Sequence, residues 1–294
     1  MSSNVRNRLL LVAAAALFST GGAAIKMAAL TDWQVASFRS GVAAAVLLAA
    51  LPEARRTWSW RLAPVAVPYA ATLLLFVMAT RLTTAANAIF LQSTAPLYVL
   101  LLGPLVLREH VRRSDAAYMA AIAVGMACFF WNPQPALQTA PDPSRGNALA
   151  AAAGLAWALT LTGLRWIGRE RDGRSLIAAV AAGNLLAFLA ALPMALTPAP
   201  SGARNIAIVL YLGAVQIGLA YVLVSRAIRH LPAFEATMLL LVEPVLNPIW
   251  VWLVHGERPG ALALAGGGII LLATAANTWA KGHGEGRRRP EAAV

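Results

Sequence analysis

The stretch AANAIFLQSTAPLYVLLLGPLVLREH at 85–110 returns, 148 residues later, as AFEATMLLLVEPVLNPIWVWLVHGER at 233–258. Each copy is an apolar run long enough to cross a hydrocarbon core about 30 Å thick. Each carries a proline near its middle, Pro96 or Pro244, and ends at a glutamate, Glu109 or Glu257. The register extends outward on both sides, matching Ala79, Arg81 and Ile122 to Ala227, Arg229 and Ile270. Nearer the N-terminus the match continues at an offset of 139, with Phe18 facing Trp157 and Lys26 facing Arg165. In an Ala/Leu-rich chain many matches are cheap, but Arg81, Pro96 and Glu109 are not. The chain therefore reads as an internally repeated membrane protein.

Composition agrees, since 59% of residues are hydrophobic, only 12% are charged and the mean hydropathy is +0.66. A soluble chain carries about twice that share of charge. The net charge of +12 marks no nucleic-acid partner, because the basic residues sit in short loops with no aromatic-interleaved patch. One cysteine, Cys128, rules out an intramolecular disulfide, and His110, His230, His255 and His283 are scattered, so neither metal nor redox chemistry is indicated. There is no phosphate-binding loop of the GxxxxGK[ST] type, and no cofactor is expected.

Ten spans are expected, at 9–29, 33–51, 62–80, 85–107, 116–131, 147–164, 176–196, 206–225, 234–254 and 261–280. They are helices rather than barrel strands because the apolar runs are continuous, and a helix satisfies its own backbone in lipid. The first span is read as a span, not a cleaved leader, because the sixth resembles it. Most of the 24 basic residues, including Arg6, Arg8, Arg55, Arg56, Arg112, Arg113, Arg169 and Arg287, fall in the even loops and the two tails. The positive-inside rule then places both termini in the cytoplasm. The expected units are a five-helix repeat at 1–138, a second at 139–281 and a disordered tail at 282–294. Five is odd, so the second unit enters the membrane from the opposite side. Inverted repeats of this kind carry their binding site at the repeat interface near the midplane, in secondary transporters that work by alternating access.

Several intramembrane residues are candidates for that site, each with a structural alternative. Pro96 and Pro244 free the carbonyls of Gln92 and Leu240, as acceptors for a ligand or as packing kinks. Gln92, Gln216 and Asn184 are costly against lipid and face protein or a wet cavity. Glu243, which costs on the order of 3 kcal/mol to insert, reads as a proton site, an ammonium contact or a structural or gating partner. Arg39 reads as a carboxylate ligand or, by preference, as a packing or gating residue. Lys26 reads as an interface anchor. Phe18, Tyr69, Phe76, Tyr98, Trp157, Tyr211 and Tyr221 are candidate cavity walls. Trp58, Trp60, Trp131, Trp166 and Trp279 sit at span ends and read as interfacial belt. No HExxH, GxSxG or paired intramembrane acid points to an enzyme.

The Phe38-Arg39 pair, Trp157 to Arg165 after a small-residue helix start, Ala95-Pro96-Leu97, Glu243-Pro244-Val245 and His255-Gly256-Glu257-Arg258 together resemble the EamA-type drug/metabolite transporter (DMT) superfamily. Within it, length and aromatic composition look most like the bacterial amino-acid exporters of the YddG type. The first repeat departs from the family pattern, with Arg108-Glu109-His110 lacking the usual glycine and Thr94-Ala95-Pro96 lacking an acid. The resemblance implies ten helices in two inverted five-helix repeats around a central cavity in the bacterial inner membrane. It implies export of aromatic and other neutral amino acids, with drugs, nucleosides or sugars as the alternative cargo. It puts Tyr69 and Trp157 in the cavity wall. The expected substrate-binding set is Tyr69, Gln92, Tyr98, Trp157, Gln216 and Glu243, with Arg39, Pro96 and Pro244 as gating or structural residues. The expected partners are amino acids, the lipid bilayer and protons.

Overall fold

The computed structural model describes residues 3–56, 58–107, 113–131, 135–170, 175–198, 202–231 and 233–286. Among them there is no strand beyond a single antiparallel bridge between Leu137 and Ala140. Among the described residues nine helices are long and apolar enough to cross a membrane: α1 (Val5–Met27), α2 (Asp32–Ala50), α3 (Trp60–Leu82) and α4 (Ala85–Val106), then α6 (Pro143–Trp166), α7 (Leu176–Ala195), α8 (Ala203–Ala227), α9 (Glu235–His255) and α10 (Ala261–Ala280). Between α4 and α6 lies α5 (Asp115–Trp131), apolar but shorter, as the weak fifth stretch of the sequence foreshadows. Helix continues past α10 to Gly286, into the stretch expected as a disordered tail. Glu109, His110 and Arg287 lie outside the described residues.

The helices pair in a pattern that is preserved when the two halves are exchanged. Helix α3 packs on α6 as α8 packs on α1; α3 on α7 as α8 on α2; and α4 on α6 as α9 on α1. Counterparts also pack on each other directly, α2 with α7, α4 with α9 and α5 with α10, and α4 additionally meets α10. Small residues set these approaches, because lipid offers no hydrophobic drive for helix association and backbones must come close to gain dispersion contacts. A methyl added to Gly213 of α8 would lie 2.5 Å from Val42 Cβ and 2.6 Å from the Arg39 carbonyl oxygen on α2. In the α5/α10 pair, a methyl on Gly266 would lie 2.6 Å from the Gly125 carbonyl oxygen.

Three spans are interrupted. Helix α4 breaks after Gln92 and resumes at Ala95, with Pro96 in the first turn of its second piece. Helix α9 breaks at Leu241, with Pro244 in the first turn beyond. The two breaks occupy equivalent positions of the repeat, since each proline lacks the N–H that the preceding turn needs. Helix α1 breaks at Thr20, followed by the short piece Gly21–Met27. Its counterpart α6 runs unbroken from Pro143 to Glu170, so the halves are alike in packing and unlike in this detail.

Candidate functional site

Four aromatic rings, one from each of α1, α3, α6 and α8, meet in the interior. Phe18 lies edge-on to Tyr221 with centroids 5.2 Å apart, and Tyr221 is edge-on to Tyr69 at 6.1 Å. Tyr69 also meets Trp157 at 6.1 Å. Trp157 in turn packs in the cluster that holds Tyr98 of α4. Five of the seven wall candidates expected from the sequence, Phe18, Tyr69, Tyr98, Trp157 and Tyr221, are therefore contiguous, Phe18 and Tyr221 beside the three in the expected substrate-binding set. Phe76 and Tyr211 belong elsewhere: Phe76 packs with Ala24, Val77 and Leu212, and the Tyr211 hydroxyl is 2.8 Å from Thr20 Oγ1.

Glu243, partly buried in the first turn beyond the α9 break, is close enough for its charge to act on the hydroxyls of both Tyr69 and Tyr221. Among the described residues no cation pairs with it. Arg39 also lies near Tyr69, only 2% exposed, donating from Nη2 to the Leu73 carbonyl oxygen at 3.0 Å. Its Nε has no partner, and among the described residues no carboxylate pairs with it. Both charged side chains thus lie within electrostatic reach of one tyrosine, and neither forms an ion pair among the described residues. Asn184 of α7 lies beside the same tyrosine, donating to Val180 and leaving its Oδ1 unpartnered.

The glutamines divide. Gln216 donates from Nε2 to the Phe18 carbonyl oxygen at 3.1 Å, tying α8 to the α1 break, while its Oε1 stays unpartnered. Gln92 is partly exposed, with Oε1 unpartnered. The main-chain carbonyl that Pro96 frees at Gln92 is closely overlaid by α6: a methyl on Gly154 would lie 2.9 Å from the Leu91 carbonyl oxygen and 3.3 Å from that of Gln92. The kink of α4 is thus a seat for α6, the helix that carries Trp157. Gly154→Val is expected to push α6 off this seat and weaken substrate binding about tenfold or more, through displacement of Trp157. Retained affinity in a folded variant, measured by tryptophan fluorescence titration, would show the seat to be unimportant.

Lys26 overturns its reading as an interface anchor. Its side chain is 4% exposed and pairs at 2.8 Å with Glu257, itself 2% exposed. The ammonium also donates to the carbonyls of Thr83 and Thr139. A lysine at a span end snorkels only when water is the best acceptor in reach; here three protein oxygens outcompete it.

The sequence profile of the EamA-like transporter family matches this chain twice, over residues 7–131 and 144–279. The chain belongs to the EamA-like transporter family. It is accordingly a multi-pass membrane protein of a family whose members are transporters of small molecules rather than enzymes. The two matches divide the EamA-like chain between α5 and α6, so the aromatic group draws Phe18 and Tyr69 from one match and Trp157 and Tyr221 from the other. A crystal structure of a protein 18% identical to this chain shares its fold, with a TM-score of 0.61 over 95% of this chain and 98% of that one. No curated protein matches the chain.

Proposed function

We propose that this chain is a secondary transporter that exports amino acids, aromatic and other neutral ones, across the bacterial inner membrane by alternating access, as YddG-type exporters do. The observation that carries the reading is the aromatic group, drawn from equivalent helices of the two halves, with Glu243 and Arg39 near its Tyr69 and neither in an ion pair among the described residues. Aromatic faces accept an apolar side chain and an ammonium alike, and a carboxylate near them completes the ammonium contact. Tyr69, Tyr98, Trp157 and Glu243 form the substrate contact in this reading, with Phe18 and Tyr221 beside them and Gln92 and Gln216 at its edge. Arg39, Pro96 and Pro244 set the geometry: Arg39 near Tyr69, the prolines at the two helix breaks. Glu243 also carries the coupling proton.

The units at 1–138 and 139–281 are the two moving bodies. The packing that survives exchange of the halves supports a two-fold relation between them. With five spans in each, that axis lies in the membrane plane, which makes the repeats inverted and leaves both termini in the cytoplasm.

The test is flux of labelled tryptophan, phenylalanine and alanine in proteoliposomes, with and without a pH gradient. Saturable flux for these is the expected result. Movement of a drug, nucleoside or sugar in place of all three would keep the fold and remove the amino-acid assignment. Trp157→Ala is expected to raise KM for tryptophan about tenfold or more while leaving alanine less affected, since a large aromatic supplies most of its contact through ring area. Equal loss for both substrates would place Trp157 outside the binding surface.

A further inference from the structure

The last piece of α1, Gly21–Met27, is set off from the helix body by a one-residue irregularity at Thr20, across which the Ala24 N–H still bonds the Thr20 carbonyl oxygen. Its apolar side packs on α2 and α3, and its polar contacts come largely from side chains of the other half of the chain. On the body side of the break, Gln216 bonds the Phe18 carbonyl and Trp250 Nε1 donates to Ser19 Oγ at 2.9 Å. On the segment itself, His255 Nε2 is 3.0 Å from the Ala23 carbonyl oxygen. At its tip Lys26 makes the buried ion pair with Glu257, whose other oxygen accepts the Ala85 N–H at 2.7 Å. That one pair joins four chain segments at one end of the molecule: the α1 tip, the α3–α4 turn, the approach to α6 through Thr139, and the α9–α10 turn.

The same segment is badly satisfied along its length. Asn247 of α9, 1% exposed, presses its amide against Gly22, where a methyl would lie 2.8 Å from Oδ1, and neither its Oδ1 nor its Nδ2 has a partner. Gln216 presses on Gly21 in the same way, with Oε1 unpartnered. Buried amide groups without partners are costly, and water would satisfy them once the segment moved away. The seated position therefore combines an ionic fastening at the tip with an unfavourable polar contact beneath it, the balance expected of an element with two positions.

We propose that Gly21–Met27 is a gate of the transport pathway, hinged at Thr20 and latched by the Lys26–Glu257 pair, and closed in this structure. It rests on the transporter reading for its purpose. Phe18, two residues before the hinge, belongs to the aromatic group, and Asn247 stands one helical turn beyond Glu243, so a ligand at those residues adjoins both the hinge and the bed of the gate. Opening the gate breaks the ion pair and hydrates the Asn247 and Gln216 amides.

The gate is tested without measuring flux, so its failure and that of the amino-acid reading are distinguishable. In a Cys128→Ser background, Ala24→Cys, on the buried face of the gate itself, and Ala29→Cys, exposed beside it, are reacted with a membrane-impermeant maleimide. Adding Glu257→Gln or Lys26→Met is expected to speed labelling of Ala24→Cys about tenfold while leaving Ala29→Cys unchanged. Unchanged labelling of Ala24→Cys in both latch variants overturns the proposal. If neither latch variant folds, hydrogen exchange of the unaltered protein decides: faster exchange across Gly21–Met27 than across the body of α1 supports the gate, and equal protection overturns it.

Discussion

Replacing Glu243 by glutamine is expected to abolish concentrative export driven by a pH gradient and to slow net flux about a hundredfold, while the protein folds normally. The side chain has no cation partner among the described residues, so its loss strands no buried lysine or arginine. Glutamine keeps the size and one acceptor oxygen but can neither take up a proton nor carry the charge that an ammonium needs. If Glu243 were only a packing element beside Pro244, flux of Glu243→Gln would follow the unaltered protein at every pH. The decisive measurement is therefore flux against pH for both proteins in proteoliposomes, at fixed and at zero pH gradient. A variant that still exchanges substrate across the membrane but no longer concentrates it assigns the proton to Glu243. A variant unable to bind substrate assigns Glu243 to the ammonium. Both losses together are expected here, since one carboxylate serving proton and ammonium in turn is the simplest way to make the two compete.

The largest structural effect is expected from Gly213→Leu. Even a single methyl at this position would overlap Val42 Cβ at 2.5 Å and the Arg39 carbonyl oxygen at 2.6 Å, and the second of these is main chain that cannot rotate away. Overpacking of this kind costs about 1–3 kcal/mol per site in well-packed interiors, and a branched side chain against backbone lies at the upper end or beyond. Helix α8 would have to leave α2, and with it would go Tyr221 and the carbonyl-bound position of Arg39. The expected outcome is loss of monodisperse protein on extraction, or a midpoint of thermal unfolding lowered by about 10 °C or more. The neighbouring Gly202, with nothing within 4 Å of an added methyl, is the internal control, and Gly202→Ala is expected to leave the midpoint unchanged. Equal stability of Gly213→Leu and Gly202→Ala would show that the α2–α8 approach is looser than its geometry indicates.

The pairing of halves explains why these two predictions concern the same few ångströms. Arg39 supplies the carbonyl that Gly213 accommodates, and its guanidinium stands beside Tyr69, which shares its ring contacts with Trp157 and Tyr221. A change at the α2–α8 seam is therefore felt at the aromatic group without any direct contact between Gly213 and substrate. Near the other end of α1, Arg8 pairs with Glu235 at the start of α9, an exposed contact that contributes little on its own. The buried Lys26–Glu257 pair is of a different kind. Removing either partner strands a charge away from water, so the energetic weight of the α1–α9 association lies at that end.

The amino-acid sequence by itself determined the class of structure, because hydrophobic run length is a one-dimensional property that the thickness of a bilayer reads directly. It also marked Pro96 and Pro244 as points where backbone donors are missing, but Pro68, Pro193 and Pro248 lie inside unbroken helix, so which prolines break a span was decided by the fold. The repeat was legible too: Arg81, Pro96 and Glu109 reappear at fixed spacing in an otherwise low-complexity background. Tyr69, Tyr98 and Trp157 could be named as wall candidates from their helices. Their meeting with Phe18 and Tyr221, and the exclusion of Phe76 and Tyr211, could not, because every face of a membrane helix is apolar and periodicity does not tell lipid from neighbour. The break at Thr20 was equally hidden, having no proline to announce it; Gly21-Gly22 only permit the close seats that Gln216 and Asn247 occupy. Lys26 shows the limit most clearly. Its distance from the span end suggested an anchor in the head groups, but the choice between water and protein oxygens depended on Glu257, Thr83 and Thr139, which only the folded chain brings within reach.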